Sequence, residues 1–333
     1  MSGTVHQYST VQLVTYNVSP VLGSLSAFTA IKQLTSLKYT HILGIMESFI
    51  CLEEIYEVDF VTQRIDIEAN VDEVLVKDRR VVDNMLSLEK SYSVVDYCER
   101  LQTEIAPHMR KIVTDWMLEV CQDQQSQPEV FFLAVNYLDR FLSSVNIKKN
   151  QFQLLASVCI LLASKFSQVV PITSEQLVVY TDHSVTVQEM RKWEIFILEV
   201  LQWELSTSTP NSFLQHFFNN YNVEDRVRKQ AEALATEAAT EYKFLLAKDS
   251  VIAASALAAA VKEELKSEEV LNIIDNISNI INCNVDDIFV CMVHMMDSNE
   301  HLEVDTKKKD LIEGERPTTP DDVLNISQSE IIV

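Results

Sequence analysis

The sequence predicts an all-α protein: two tandem five-helix units, with one helix ahead of them and disordered ends. Three observations lead there. Residues 45–313 contain no glycine, which makes tight primed hairpins hard to build. From about residue 83 onward, apolar side chains recur at helical spacing. Two small-residue segments, apolar on nearly every side, lie 97 positions apart, aligning Leu154, Leu155, Ala156, Ala163 and Lys165 with Val251, Ile252, Ala253, Ala260 and Lys262. An internal repeat of that length is the signature of a duplicated unit.

Residues 1–45 carry no Asp or Glu in an otherwise acidic chain. They are read as disordered or as an alternative N-terminal extension, with Met46 as the usual start. An acidic segment, 46–82, follows. The first unit is expected over 83–206. Pro107 opens "PHMRKIVTDWMLEV" and Pro128 opens "PEVFFLAVNYLDRFLSS", each at the first helical position, where the missing N–H costs nothing. "NQFQLLASVCILLASKF" is the buried central helix. Thr173 with Gln176, and Thr186 with Glu189, have capping-box spacing and start two more helices.

The second unit is expected over 207–299. It opens with Thr209 as N-cap and Pro210 behind it, and has "DSVIAASALAAAVKEEL" as its own central helix. Residues 300–333 are charged, poor in aromatics and interrupted by Gly314, Pro317 and Pro320. They read as a disordered acidic tail.

Composition narrows the function. With 49 acidic and 27 basic side chains the net charge is -22, which repels a phosphate backbone and disfavours nucleic-acid binding. The six cysteines form no CxxC pair and mostly sit in apolar runs, as free thiols do in a reducing, intracellular setting. No apolar run reaches the length of a membrane span. The glycine-free stretch leaves no room for a phosphate-cradling loop. HExxH, GxSxG and zinc-deaminase patterns are missing as well. The chain therefore reads as a binding protein with no catalytic residues, metal or cofactor.

"MRKIVTDWMLEVC", "NYLDRFLS", "FQLLASVCILLASKF" and "PITSEQLVVYTDHS", in this order, resemble the cyclin box, and the similarity is greatest to D-type cyclins. The resemblance implies two stacked cyclin folds and a regulatory subunit of a G1 cyclin-dependent kinase, directed to retinoblastoma-like substrates. A transcriptional cyclin serving a kinase of the RNA polymerase tail is the alternative. The family's five characteristic positions fall on Arg110, Asp139, Leu154, Lys165 and Glu194. Arg110 and Asp139 resemble its buried ion pair, with Leu154 as a further structural position. Lys165 and Glu194 resemble the pair that grips the kinase, with Phe166 packing beside them.

The resemblance implies three further sites. Met109, Ile112, Val113, Trp116, Glu119 and Gln153 match the patch that docks RxL-bearing substrates and kinase inhibitor proteins. In "MESFICLEE", Phe49, Cys51 and Glu53 stand at the positions of the LxCxE motif that binds pocket proteins, with phenylalanine in place of leucine. "RPTTPDDV" resembles a degron phosphorylated at Thr319. A heterodimer with the kinase, in nucleus and cytoplasm, with no nucleic-acid or membrane partner, is the resulting expectation.

Overall fold

In a computed structural model the described residues are 78–297 apart from 93, 222 and 263–266, together with 72 and 74. The two ends expected to be disordered lie outside these residues. All regular structure among the described residues is helical.

Helix α1 (Arg79–Ser91) comes first, capped by Asp78, whose carboxylate accepts from the Arg80 amide. Hydrogen bonds from the Arg80 side chain and backbone hold Asp78 down to about 2. A single turn, α2 (Tyr97–Arg100), leads into the first repeat. That repeat comprises α3 (Pro107–Asp123), α4 (Pro128–Leu142), α5 (Phe152–Ser167), α6 (Ser174–Tyr180) and α7 (Val187–Val200). The second comprises α8 (Pro210–Tyr221), α9 (Asp225–Thr240), α10 (Asp249–Lys262), α11 (Ser267–Ile281) and α12 (285–297).

The local signals act as their chemistry dictates. Pro107 and Pro128 occupy the first turns of α3 and α4. Both capping boxes close reciprocally. Thr173 Oγ1 accepts from Gln176 N at 3.2 Å while Gln176 Oε1 accepts from Thr173 N at 2.9 Å. Thr186 and Glu189 do the same at 3.2 and 2.9 Å. Thr209 Oγ1 accepts from Ser212 N at 3.1 Å and caps α8.

Each repeat is wrapped around its small-residue helix. From Leu154 to Ser164 every residue of α5 is buried, as is every residue of α10 from Ser250 to Val261. Alanine and serine on these helices let neighbours approach closely, so α3, α4, α6 and α7 pack on α5 while α8, α9 and α11 pack on α10. Inside the second repeat, Ser255 Oγ on α10 donates to the Ile288 carbonyl at 3.0 Å.

Without glycine, the turns after several helices place other residues in the left-handed region. Gln125 follows α3, Asp182 and His183 follow α6, Gln202 and Trp203 follow α7, and Asn282 follows α11, all with φ between 49 and 62°. Asp182, His183 and Asn282 are of types that enter this region readily, whereas Gln125, Gln202 and Trp203 are strained there. Helix α1 packs on α10 and α11 of the second repeat. Its Glu89 carboxylate accepts from Ser250 N at 2.7 Å and Ser250 Oγ at 3.1 Å, which caps α10.

Candidate functional site

The apolar surplus of α3 divides between two faces. Arg110, Thr114, Met117, Val120 and Cys121 point inward and are buried. On the other side Ile112 is 64% exposed, Glu119 is exposed, and Met109, Val113 and Trp116 lie half-buried against the core edge. Gln153 of α5 is half-buried too, and its Oε1 accepts from Ser184 Oγ at 3.5 Å. Five of the six residues thus lie on α3 away from its buried face, and the sixth, Gln153, lies on α5. At the N-terminal end of the same helix, Lys111 bridges Asp115 at 2.8 Å and Glu241 of the second repeat at 3.2 Å.

The inward face centres on a buried ion pair. Arg110 Nη2 lies 2.7 Å from Asp139 Oδ2, and Arg110 Nε donates to Asp139 Oδ1 at 2.9 Å. Two further guanidinium hydrogen bonds cross to the second repeat, to the carbonyls of Thr240 and Ala239, each at 3.0 Å. Tyr97 Oη donates to Asp139 Oδ1 at 2.8 Å. The pair therefore ties α3 to α4 and also holds the first repeat on the C-terminus of α9, where the helix dipole favours a cation. Burial alone would lower the Arg110 pKa, but the Asp139 charge and its hydrogen bonds outweigh that and keep the guanidinium above its usual range. Burial, then the Asp139 carboxylate, push the Tyr97 phenol well up. Leu154 lies buried on α5.

Lys165 ends α5 and reaches Glu194 on α7, Nζ to Oε1 at 3.0 Å. The two side chains are 40% and 17% exposed, so the pair sits at the surface. Also on α7, Trp193 and Phe196 stack edge-on or tilted with Phe141 of α4, with centroids 5.4–6.1 Å apart, and fix α7 against α4. Phe166 is 49% exposed, and Val169 and Val170 beyond it are 74% and 66% exposed. Sequence reading singled out Phe166 and passed over the two valines; the only signal was apolar residues beyond the helix end with no core register, just before Pro171. It also passed over Tyr97 and the Ala239 and Thr240 carbonyls. Phe49, Cys51, Glu53 and Thr319 lie outside the described residues.

Known proteins match this arrangement along the chain. Residues 80–206 match the family described as "Cyclin, N-terminal domain", and residues 208–310 match "Cyclin, C-terminal domain". The chain is 43% identical over 199 residues to G1/S-specific cyclin-D3 of Bos taurus, covering 58% of this chain and 68% of that protein. It is 36% identical over 274 residues to G1/S-specific cyclin-D1 of Danio rerio, covering 77% and 94%. A viral cyclin from herpesvirus saimiri superposes with a TM-score of 0.58 at 22% identity, over 65% of this chain and 97% of that one, a likeness in fold.

Proposed function

The chain belongs to the cyclin family, alongside its D-type members, and from that premise we propose that it is the regulatory subunit of a G1 cyclin-dependent kinase. The observation that carries this reading is the similarity to G1/S-specific relatives along both repeats, including 94% of the length of one of them.

The mechanism is conformational. A protein kinase needs its αC glutamate paired with the β3 lysine before phosphoryl transfer can proceed. A rigid partner surface that fits only that αC position shifts the kinase population toward the active state. Lys165, Glu194 and Phe166 are the proposed grip, and the aromatic stack beneath α7 supplies the stiffness.

Substrate choice is assigned to the outer face of α3. An RxL-type peptide would place its leucine among Met109, Ile112, Val113 and Trp116, its arginine at Glu119 and its backbone near Gln153. Phe49, Cys51 and Glu53 would add a contact to retinoblastoma-type pocket proteins. Phosphate on Thr319 would add about -1.5 to -2 charges and three acceptors for a reader's arginines. Residence in nucleus and cytoplasm belongs to the same proposal.

Affinity purification of the full chain from dividing cells is expected to bring down a G1-class kinase active on a retinoblastoma fragment. Recovery of an RNA polymerase tail kinase in its place would overturn the assignment. Within the assembled complex, Trp116→Ala should slow phosphorylation of RxL-bearing substrates roughly tenfold or more, the size of a lost aromatic anchor. Assembly and activity on a peptide lacking RxL should be unchanged. Loss of assembly would mean instead that this face is core.

A further inference from the structure

A cavity of about 380 Å³ lies where α1, α4, α9 and the start of α10 meet. Its body is apolar, lined by Phe132, Val135, Phe244 and Ile252, with Asn136 and Asp249 contributing polar groups. Such a volume, mostly apolar with a few convergent polar groups, is typical of small-molecule sites.

The informative group is Asp249. It is the first residue of α10, where an acid usually serves the helix N-terminus. Here that task is taken by Glu89, which accepts from both the amide and hydroxyl of Ser250. Nearby Glu129 is occupied as well, accepting from Thr209 Oγ1 at 2.9 Å and Asn211 Nδ2 at 2.9 Å. The Asp139 carboxylate is taken up by Arg110 and Tyr97. The Asp249 carboxylate has no hydrogen-bond or ion-pair partner among the described residues. It is partly buried, and it lines the cavity. Burial, then the charges of Glu89, Glu129 and Asp139, push its pKa well up.

A carboxylate that lines an apolar cavity without a protein partner leaves a negative charge there for a cation to match. The guanidinium of Arg110, which also lines the cavity, is committed to Asp139 and the two α9 carbonyls. Lys90, Lys248 and Leu246 are exposed residues of the lining and mark its mouth. We propose that this cavity is a binding site for a small organic amine, whose ammonium group pairs with Asp249 while its apolar body lies against Phe132, Val135 and Ile252. The occupant would rest on the joint between the two repeats, within the wall that contains Arg110 and Asp139. The inference stands independently of the kinase assignment.

The test uses phenethylammonium chloride, with 2-phenylethanol as its uncharged counterpart, titrated into the isotopically labelled full chain and followed by amide NMR. The amine should bind saturably and at least about tenfold more tightly than the alcohol, the size of a charge-assisted hydrogen bond. The shifts should concentrate at Asn136, Ala239 and Ser250. Asp249→Asn, nearly isosteric, should weaken the amine about tenfold while leaving the alcohol unchanged. Equal binding of the two probes, no binding, shifts mapping elsewhere, or undiminished amine binding by Asp249→Asn would each overturn the proposal. Should that variant fail to fold, the comparison of probes and the shift map on the wild-type chain decide the matter.

Discussion

Replacing Arg110 with alanine is expected to destabilise the free protein by about 3–5 kcal/mol, because it breaks a buried ion pair from one side. The residue is 2% exposed and makes four hydrogen bonds, two to Asp139 and one each to the carbonyls of Ala239 and Thr240. Without it, Asp139 keeps the Tyr97 hydroxyl but loses its counter-charge, and the two α9 carbonyls lose their donors. Domains are typically stable by only about 5–15 kcal/mol, so the loss is a large share of the total. For a folded region of this size it corresponds to a fall in Tm of roughly 6–20 °C. Urea unfolding followed by circular dichroism checks this. A cost below about 1 kcal/mol would show that water replaces the guanidinium and that the site is less closed than the structure indicates.

The companion change Asp139→Asn separates charge from shape. It keeps the volume and the possibility of a hydrogen bond from Tyr97, but leaves a guanidinium buried without its counter-charge. The two changes touch one network, so their costs should not add; a double-mutant cycle should give a coupling of about 1–3 kcal/mol. The position of the pair adds a second signature. Because Arg110 also holds the end of α9, amide exchange at Ala239 and Thr240 should accelerate in Arg110→Ala more than exchange within α10.

What could be read from the sequence was what short-range chemistry decides. Pro107, Pro128, Thr173 with Gln176, Thr186 with Glu189, and Thr209 with Pro210 each mark a helix start using neighbours within four residues. The structure shows the hydrogen bonds those spacings imply. The repeat was legible because α5 and α10 are buried all round, which leaves a composition no surface helix shares. The start of α1 at Arg79 was not, because its first turn carries two arginines and no acid; only Asp78 marks it.

Other features depended on contacts between distant parts of the chain. Periodicity on α3 showed more apolar surface than one core contact needs, but not that Arg110 would meet carbonyls some 130 residues away. Tyr97 in "DYCER" carries no local mark of its bond to Asp139. Asp249 reads in sequence as an ordinary first-turn acid. Only the arrival of Glu89 from α1, 161 positions before the Ser250 it caps, displaces Asp249 from that task. Lys165 is the sharpest case: by spacing it is a helix-end lysine, and the resemblance alone assigned it a partner on α7.

That resemblance leads to the second large effect. In the double variant Lys165→Ala, Glu194→Ala, kinase assembly should weaken roughly 30-fold or more, as expected when an interfacial charge pair is removed at a cost of about 2–5 kcal/mol. The stability of the free chain should change by less than about 1 kcal/mol. The two expectations differ because the pair sits at the surface: Lys165 is 40% exposed, and exposed pairs contribute little to folding. This contrast with Arg110, buried and bound on every side, allows the roles to be separated. One lysine–glutamate pair and one arginine–aspartate pair both link helices of the first repeat, yet only the second should hold the fold together. Titration calorimetry with the purified kinase and thermal melting of the free variant give the two numbers. If assembly survives the double change, the grip lies elsewhere on the exposed surface, and Phe166, Val169 and Val170 become the residues to replace. If instead the free variant melts far below the wild type, the pair is structural and the kinase assignment of these residues fails.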